Sequence, residues 1–144
     1  MVEIVRLTVA KESDVADINK LLPQLRSNAA EHHGTLSDLQ RIVADPSVLL
    51  LVVRDGEKIV GMGSLYTILK VGKRSGTIED VVVDDEYRGE GLGEKLMQEL
   101  LRCAREEKLQ QLYLTTRPDR VAAHQLYEKL GFEQQETDVY RMKM

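Results

Sequence analysis

Val81-Val82-Val83-Asp84-Asp85-Glu86-Tyr87-Arg88-Gly89-Glu90-Gly91-Leu92-Gly93 runs from a β-branched strand end into a glycine-rich turn, and a long amphipathic stretch follows at once. A turn that opens a helix presents backbone N–H groups that no helical carbonyl can take. It also directs the positive end of the helix dipole at whatever sits there. Gly89, Gly91 and Gly93 let a ligand approach the main chain closely. Together these features describe a pyrophosphate cradle, built from Arg88, Gly89, Glu90, Gly91, Leu92 and Gly93, in which Arg88 adds a fixed positive charge.

The spacing narrows the choice of ligand. A dinucleotide fold wants G-x-G-x-x-G with an acidic residue roughly 20 positions on. Here Gly93 comes one residue early, and Glu94 holds the place of the third glycine. The run G-x-x-x-x-G-K-[ST] of a P-loop is absent.

The pattern on either side reads as a single domain over residues 1–144 with one core. Ile4–Val9 reads as an opening strand. Ser13 or Asp14 can cap a helix that ends before or near Pro23, and Ser37 can cap a short helix that stops at Asp45-Pro46. Ser27–Thr35, with His32-His33, reads as a loop. Val48–Val53 is a continuous apolar run, Asp55-Gly56 a hairpin turn, and Lys58–Leu69 the partner strand. Lys70–Gly76 reads as a mobile basic connection and Thr77–Val83 as the next strand. From Gly91 to Glu107, Leu92, Leu96, Leu100 and Cys103 form one helical stripe, with Met97, Leu101 and Ala104 beside it. Gln111–Thr116 reads as a strand, and Asp119–Leu130 as a helix closed by Gly131. Phe132–Met144 is expected to hold one or two last strands. This order implies a mixed sheet with helices on both faces.

Composition excludes several classes. Net charge is −4, against a basic nucleic-acid-binding face. Aromatics make up 4% with no Trp, against a base-stacking platform. No apolar run approaches the roughly 20 residues of a membrane span. No secretory signal is visible, and a single cysteine suits a reducing cytoplasm. Cys103, on the apolar stripe, reads as a buried structural thiol. Adjacent His32-His33 without ligands at fixed spacing do not make a metal site.

Arg88-Gly89-Glu90-Gly91-Leu92-Gly93 reads R-x-x-G-x-G and resembles the acyl-coenzyme A pyrophosphate loop of the GNAT N-acetyltransferase superfamily. Leu126-Tyr127-Glu128-Lys129-Leu130-Gly131-Phe132 is similar to the L-Y-x-K-x-G-F segment near the C-terminus of the same superfamily. The resemblance implies a GNAT-like α/β (α+β) fold with a mixed, mostly antiparallel central sheet. It implies acetyl-coenzyme A as co-substrate, no metal, and a small-molecule amine as acceptor, with no nucleic acid and no membrane as partner. Val81, Val82 and Val83 would hold the pantetheine arm through main-chain groups, like an added strand.

Acetyl transfer to an amine needs a base, because an ammonium with pKa near ~10 is no nucleophile. Glu79 and Asp80 interrupt an otherwise apolar strand just before the cradle. Neighbours on a strand point to opposite faces, so one of the two enters a given site unless a bulge re-aims the other. Ile78-Glu79-Asp80 also resembles the strand before the loop in glucosamine-6-phosphate N-acetyltransferases, where the acidic pair lies at the active site. That resemblance implies Glu79 as base, directly or through water, Asp80 as a substrate-orienting group, and an amino sugar phosphate as acceptor. The Leu126-Tyr127 segment, by its resemblance to the GNAT superfamily, places the Tyr127 hydroxyl near the thioester sulfur, as acid. Many GNAT chains carry asparagine seven residues before this tyrosine; here Arg120 stands there, and His124 stands three before it. Arg120 either binds a coenzyme phosphate or decorates the helix. Lys70, Lys73 and Arg74 either meet an anionic substrate or keep a loop soluble. Acetylation of a protein lysine or N-terminus, and an acyl-coenzyme A sensor without turnover, stand as the other readings. A strand ending at Met144 could pair with a second copy as a homodimer.

Overall fold

The computed structural model describes residues 1–25 and 33–144. Most of the expected Ser27–Thr35 loop, His32 included, lies outside them. The chain forms two compact units, Met1–Leu114 and Thr115–Met144.

The first unit holds β1 (Val2–Arg6), α1 (Glu12–Leu25), α2 (Leu36–Ala44), β2 (Val48–Asp55), β3 (Lys58–Lys70) and β4 (Lys73–Val83), then a short 3-10 turn (Asp85–Tyr87), α3 (Leu92–Glu106) and β5 (Gln111–Tyr113). The five strands lie in the order β1-β2-β3-β4-β5. The first three pairings are antiparallel and the β4–β5 pairing is parallel, so the sheet is mixed and mostly antiparallel, as expected. Alternation along the strands divides the core. Leu50, Val52, Met62 and Val82 face α1 and α2, where they pack with Val15, Leu21 and Leu39. On the other face Leu96 and Leu100 of α3 lie over Gly63.

Local chemistry sets the helix ends. Thr35 and Asp38 form a reciprocal capping box, so Thr35 rather than Ser37 starts α2. α1 begins at Glu12, and Pro23 sits inside its last turn, where it lacks the N–H that would reach the Asn19 carbonyl. Asp14 therefore does not cap α1. It is 1% exposed and pairs with Arg54 of β2 at 3.1 Å. Arg54 also donates to the Glu57 carbonyl at 2.9 Å, and the Ile59 N–H donates to Asp17 at 3.0 Å. These bonds clip α1 to the β2–β3 hairpin. Removing one partner strands a buried charge, so Arg54→Met should cost about 3 kcal/mol, visible as a lower midpoint in urea unfolding with an unchanged slope.

α3 starts at Gly91 without a side-chain cap, which forgoes only about 0.3 kcal/mol, since glycine is itself tolerated at an N-cap. The helix buries Leu92, Leu96, Met97, Leu100, Cys103 and Ala104, and a buried leucine contributes about 1.5–3 kcal/mol. Burial outweighs the missing cap, which leaves the first turn open.

Two expectations are corrected. Lys70–Gly76 is not a mobile connection. β3 and β4 run through it as a ladder to the Lys70–Lys73 pair, leaving Val71-Gly72 as the turn. Lys73 Nζ donates to Gln111 Oε1 at 2.8 Å, Arg74 pairs with Glu107 at 3.4 Å, and Lys70 lies 5.9 Å from the centre of the Tyr113 ring. This basic cluster ties the hairpin to the neighbouring elements. The second correction lies in the second unit, where residues 133–144 form no strand. Gln134–Asp138 is an exposed polar run, and a strand needs a ladder partner that this unit does not supply.

The second unit is built on α4 (Val121–Lys129). Gly131, at φ +100°, ends it in the left-handed conformation expected of a helix stop. The Phe132 N–H donates to the Tyr127 carbonyl at 2.9 Å and the Gly131 N–H to the Glu128 carbonyl at 3.1 Å. The Phe132 ring meets the Tyr127 ring edge-on, with centroids 6.0 Å apart. Leu126–Phe132 is thus a complete Schellman cap, hydrophobic contact included.

Candidate active site

The site grows from an irregularity in β4. Met62 pairs with Val82 and Ser64 with Glu79, so Asp80 and Val81 together face the single residue Gly63. This is a β-bulge. Asp80 occupies the left-handed region at φ +53°, which a short polar side chain tolerates better than a branched one. The extra residue breaks the alternation. Glu79 shares a face with Ser64, Tyr66 and Thr77, and the Thr77 hydroxyl donates to Glu79 Oε1 at 3.1 Å. Burial and then the Asp80 and Glu79 charges push the Tyr66 phenol above its ordinary pKa. The charges of both carboxylates thus act on one tyrosine of β3.

The same strand opens along its other edge. β5 pairs with β4 only over Ser75–Thr77. From Ile78 to Val83 that edge has no strand partner among the described residues. Val82 and Val83 bury their side chains in the core, and Val81 is half-buried with its side chain close over Gly63.

After Val83 the chain turns sharply and is pinned. The Asp84 N–H donates to the Val60 carbonyl at 2.8 Å, and the Asp84 carboxylate accepts from the Glu86 N–H at 3.0 Å. The Asp85 N–H donates to Gln24 Oε1 of α1 at 2.9 Å. The Tyr87 hydroxyl donates to Asp55 Oδ2 at 2.5 Å. That bond pushes the Tyr87 phenol up to about 12 and holds the Asp55 carboxyl below the usual range. Between Tyr87 and the buried Leu92 lie four exposed residues, Arg88, Gly89, Glu90 and Gly91. Gly89 and Gly91 sit at φ +84° and +75°. Flanking residues and the helix's own backbone apart, no atom of the described residues lies within 4 Å of a Cβ built on Gly89, Gly91 or Gly93. Packing within the chain thus does not require these glycines, and open space stands over an uncapped helix start. An anionic pyrophosphate fits such a cradle.

Arg88 is engaged within the turn. Its guanidinium pairs with Asp85 at 2.5 Å, and its Nε donates to the Val83 carbonyl at 3.3 Å. It braces the loop as well as charging it.

In the second unit Arg120 precedes α4 without capping it, and the His124 ring hydrogen-bonds the Arg117 carbonyl at 2.9 Å. Burial raises the Tyr127 phenol pKa, and the Arg120 charge works against that shift. Cys103 is buried, and its burial raises the thiol pKa. Among the described residues no group of three His, Cys, Asp or Glu could hold a metal ion, and no helix is long and apolar enough to cross a membrane.

Sequence reasoning missed Tyr66, Gln24 and Asp55. Each acts across the fold, on residues 13, 61 and 32 positions away respectively. The Tyr66 signal lay in register: counting along the β3–β4 ladder from the Val71-Gly72 turn, which the sequence alone does not place, brings it opposite Thr77.

Comparison with known proteins agrees with this geometry. The family model described as "Acetyltransferase (GNAT) family" matches residues 15–132. A glucosamine 6-phosphate N-acetyltransferase of Trypanosoma brucei brucei is 32% identical over 136 residues, covering 90% of each chain. A thialysine N-epsilon-acetyltransferase of Mus musculus is 27% identical over 140 residues, covering 88% of this chain and 82% of that one. The crystal structure of a Trypanosoma brucei acetyltransferase superposes with a TM-score of 0.80 at 29% identity, covering 100% of both chains. A family match that spans the bulged strand, the glycine turn and the capped last helix places this chain in the GNAT family, as an acetyl-coenzyme A-dependent N-acetyltransferase.

Proposed function

We propose that the protein transfers acetyl from acetyl-coenzyme A to the primary amine of a small molecule, an amino sugar phosphate by class, through direct attack. The observation that carries this reading is the bulge at Asp80. It sets two successive carboxylates, Glu79 opposite Ser64 and Asp80 at the extra position, in the strand that leads into the coenzyme loop. The relative named a glucosamine 6-phosphate N-acetyltransferase, similar along nearly its whole length, supports the acceptor class.

In this mechanism the loop Arg88–Gly93 takes the pyrophosphate on backbone N–H groups. The free edge of Val81–Val83 takes the pantetheine arm as an added strand. Glu79, held by Thr77, accepts the proton of the acceptor ammonium directly or through water, and Asp80 orients the acceptor. The free amine attacks the thioester carbonyl, a C–N bond forms, the C–S bond breaks as the thiolate leaves, and the nitrogen sheds its second proton to water to give the amide. Tyr127 serves the thiolate, an assignment that rests on its motif. A thiol pKa near ~8.5 lies below that of a phenol near ~10, so the hydroxyl stabilises the sulfur chiefly by donating a hydrogen bond. Arg120 is assigned to a coenzyme phosphate.

Tyr127→Phe keeps the ring contact with Phe132 and removes only the hydroxyl. Stability should change by about ~1 kcal/mol or less. Turnover should fall more than coenzyme affinity, because the bond strengthens as the thiolate departs. Equal losses would make Tyr127 a binding residue. The acceptor is tested by an acetylation screen over amino sugar phosphates, amino sugars, polyamines, amino acids and peptides. Preferred turnover of peptides would assign a protein acetyltransferase instead. Tight coenzyme binding with no turnover on any amine would assign a sensor.

A further inference from the structure

We infer that Tyr87, through its bond to Asp55, is a positioning residue for acetyl-coenzyme A: it fixes the N-terminal end of the glycine loop to the β2–β3 hairpin so that the cradle stands ready before the ligand arrives. The inference rests on the assignment of Arg88–Gly93 as the coenzyme loop.

Three observations carry it. First, the loop's C-terminal end is fixed by burial, because Leu92 is 7% exposed and the next helical turn places Leu96 in the core. Second, its N-terminal end has no comparable burial. None of Asp85, Glu86 and Tyr87 is buried, so that end is held by hydrogen bonds to three separate elements: Val60 of β3, Gln24 of α1 and Asp55 at the end of β2. Third, Tyr87 is the last of these anchors before the four exposed residues. Its bond to a carboxylate is the charge-assisted one of the set, and such bonds are roughly twice as strong as neutral ones.

The consequence is entropic. Glycine-rich backbone loses more freedom on ordering than any other. A cradle whose N–H groups must be collected by the ligand binds more weakly than one already assembled. Tyr87 touches neither reacting atom in the proposed mechanism, so its effect belongs to coenzyme capture, not to the amine.

The test compares Tyr87→Phe, Asp55→Ala and Asp55→Asn by calorimetric titration with acetyl-coenzyme A and by steady-state kinetics. Phe keeps the ring and loses the donor. Ala loses the acceptor, whereas Asn keeps a carbonyl oxygen for the hydroxyl. Tyr87→Phe and Asp55→Ala should each weaken acetyl-coenzyme A by roughly three- to tenfold, the factor that corresponds to one hydrogen bond. The KM for acetyl-coenzyme A should rise in step while the KM for the amine moves less than about twofold, the mark of a capture effect. Asp55→Asn should restore part of the affinity, since the acceptor returns without its charge. The double variant Tyr87→Phe/Asp55→Ala should be no weaker than either single one, since both remove the same bond.

Tyr87→Phe with wild-type affinity would overturn the inference. So would additive losses in the double variant, or equal rises in both KM values, which would mean a general structural role. A wild-type protein that acetylates an amine yet shows no protection of the Arg88–Gly93 amides from hydrogen exchange by acetyl-coenzyme A would overturn the loop assignment itself, a result distinct from the others.

Discussion

Glu79→Gln should bind acetyl-coenzyme A as the wild type does and turn over about 100-fold more slowly, the size of effect expected when a general base is lost. Gln has the shape of Glu and keeps a side-chain oxygen for the Thr77 hydroxyl, so the local structure has no reason to move. What disappears is the capacity to accept a proton. The acceptor arrives as an ammonium, with pKa near ~10, and at neutral pH about one molecule in a thousand is free amine. The deficit should therefore shrink as pH rises and solution supplies free amine directly. Steady-state rates from about pH 6.5 to 9.5, with coenzyme saturating, read both the size and the slope. Full activity at neutral pH would eliminate Glu79 and pass the role to Asp80 or to a water route.

Gly91→Val should raise the dissociation constant for acetyl-coenzyme A at least about tenfold while the fold survives, because a side chain would fill the space above the N–H groups that bind anions. Two costs must be separated. At φ +75° any Cβ is strained, by about 1–2 kcal/mol, and a branched side chain is worse. That cost falls on the fold with or without ligand. The second cost arises only when the ligand is present, since, flanking residues apart, the described residues put no atom within 4 Å of the new Cβ. Gly72→Val supplies the control. Gly72 sits at φ +85° in the β3–β4 turn with similarly open surroundings, so it carries the strain without meeting the coenzyme. Calorimetry should show weak binding for Gly91→Val and ordinary binding for Gly72→Val. Equal affinities in the two variants would remove Gly91 from the cradle.

The parts of this protein legible from sequence are those governed by local rules. Asp55-Gly56 marks a hairpin because φ > 0 is needed there, and Gly56 has φ +63°. The α3 stripe predicts its own buried face, and all six residues that the helix buries belong to that stripe or its neighbour row. Gly131 announces the end of α4 for the same backbone reason. The loop was legible because anion binding by main-chain N–H groups needs glycines in sequence, not partners in space.

What stayed hidden depends on register. Nothing local in Thr77–Val83 says that Asp80 takes a left-handed conformation, because aspartate adopts it only when the neighbouring strand leaves one residue too many. The basic run after Leu69 reads as loop on composition, yet its side chains find Gln111 and Glu107 more than 30 positions away. Asp14 reads as a helix cap, and tertiary pairing with Arg54 claims it instead. Tyr66 was passed over because a tyrosine in a strand is ordinary until its cross-strand neighbours are known.

The bulge makes the acidic centre a matter of chain length rather than composition. Without Asp80, β4 would pair with β3 one for one, with Glu79 on Ser64, Val81 on Gly63 and Val82 on Met62. Every ladder pair and every buried valine would keep its place, and only the kink and one carboxylate would go. If Asp80 orients the acceptor as proposed, a single lost codon in a relative would leave an intact sheet and an intact glycine loop, and so a protein able to hold coenzyme but poorer at presenting an acceptor to it. On that assignment the step between a better and a poorer transferase is one residue deep, and it lies in the count of residues along a strand.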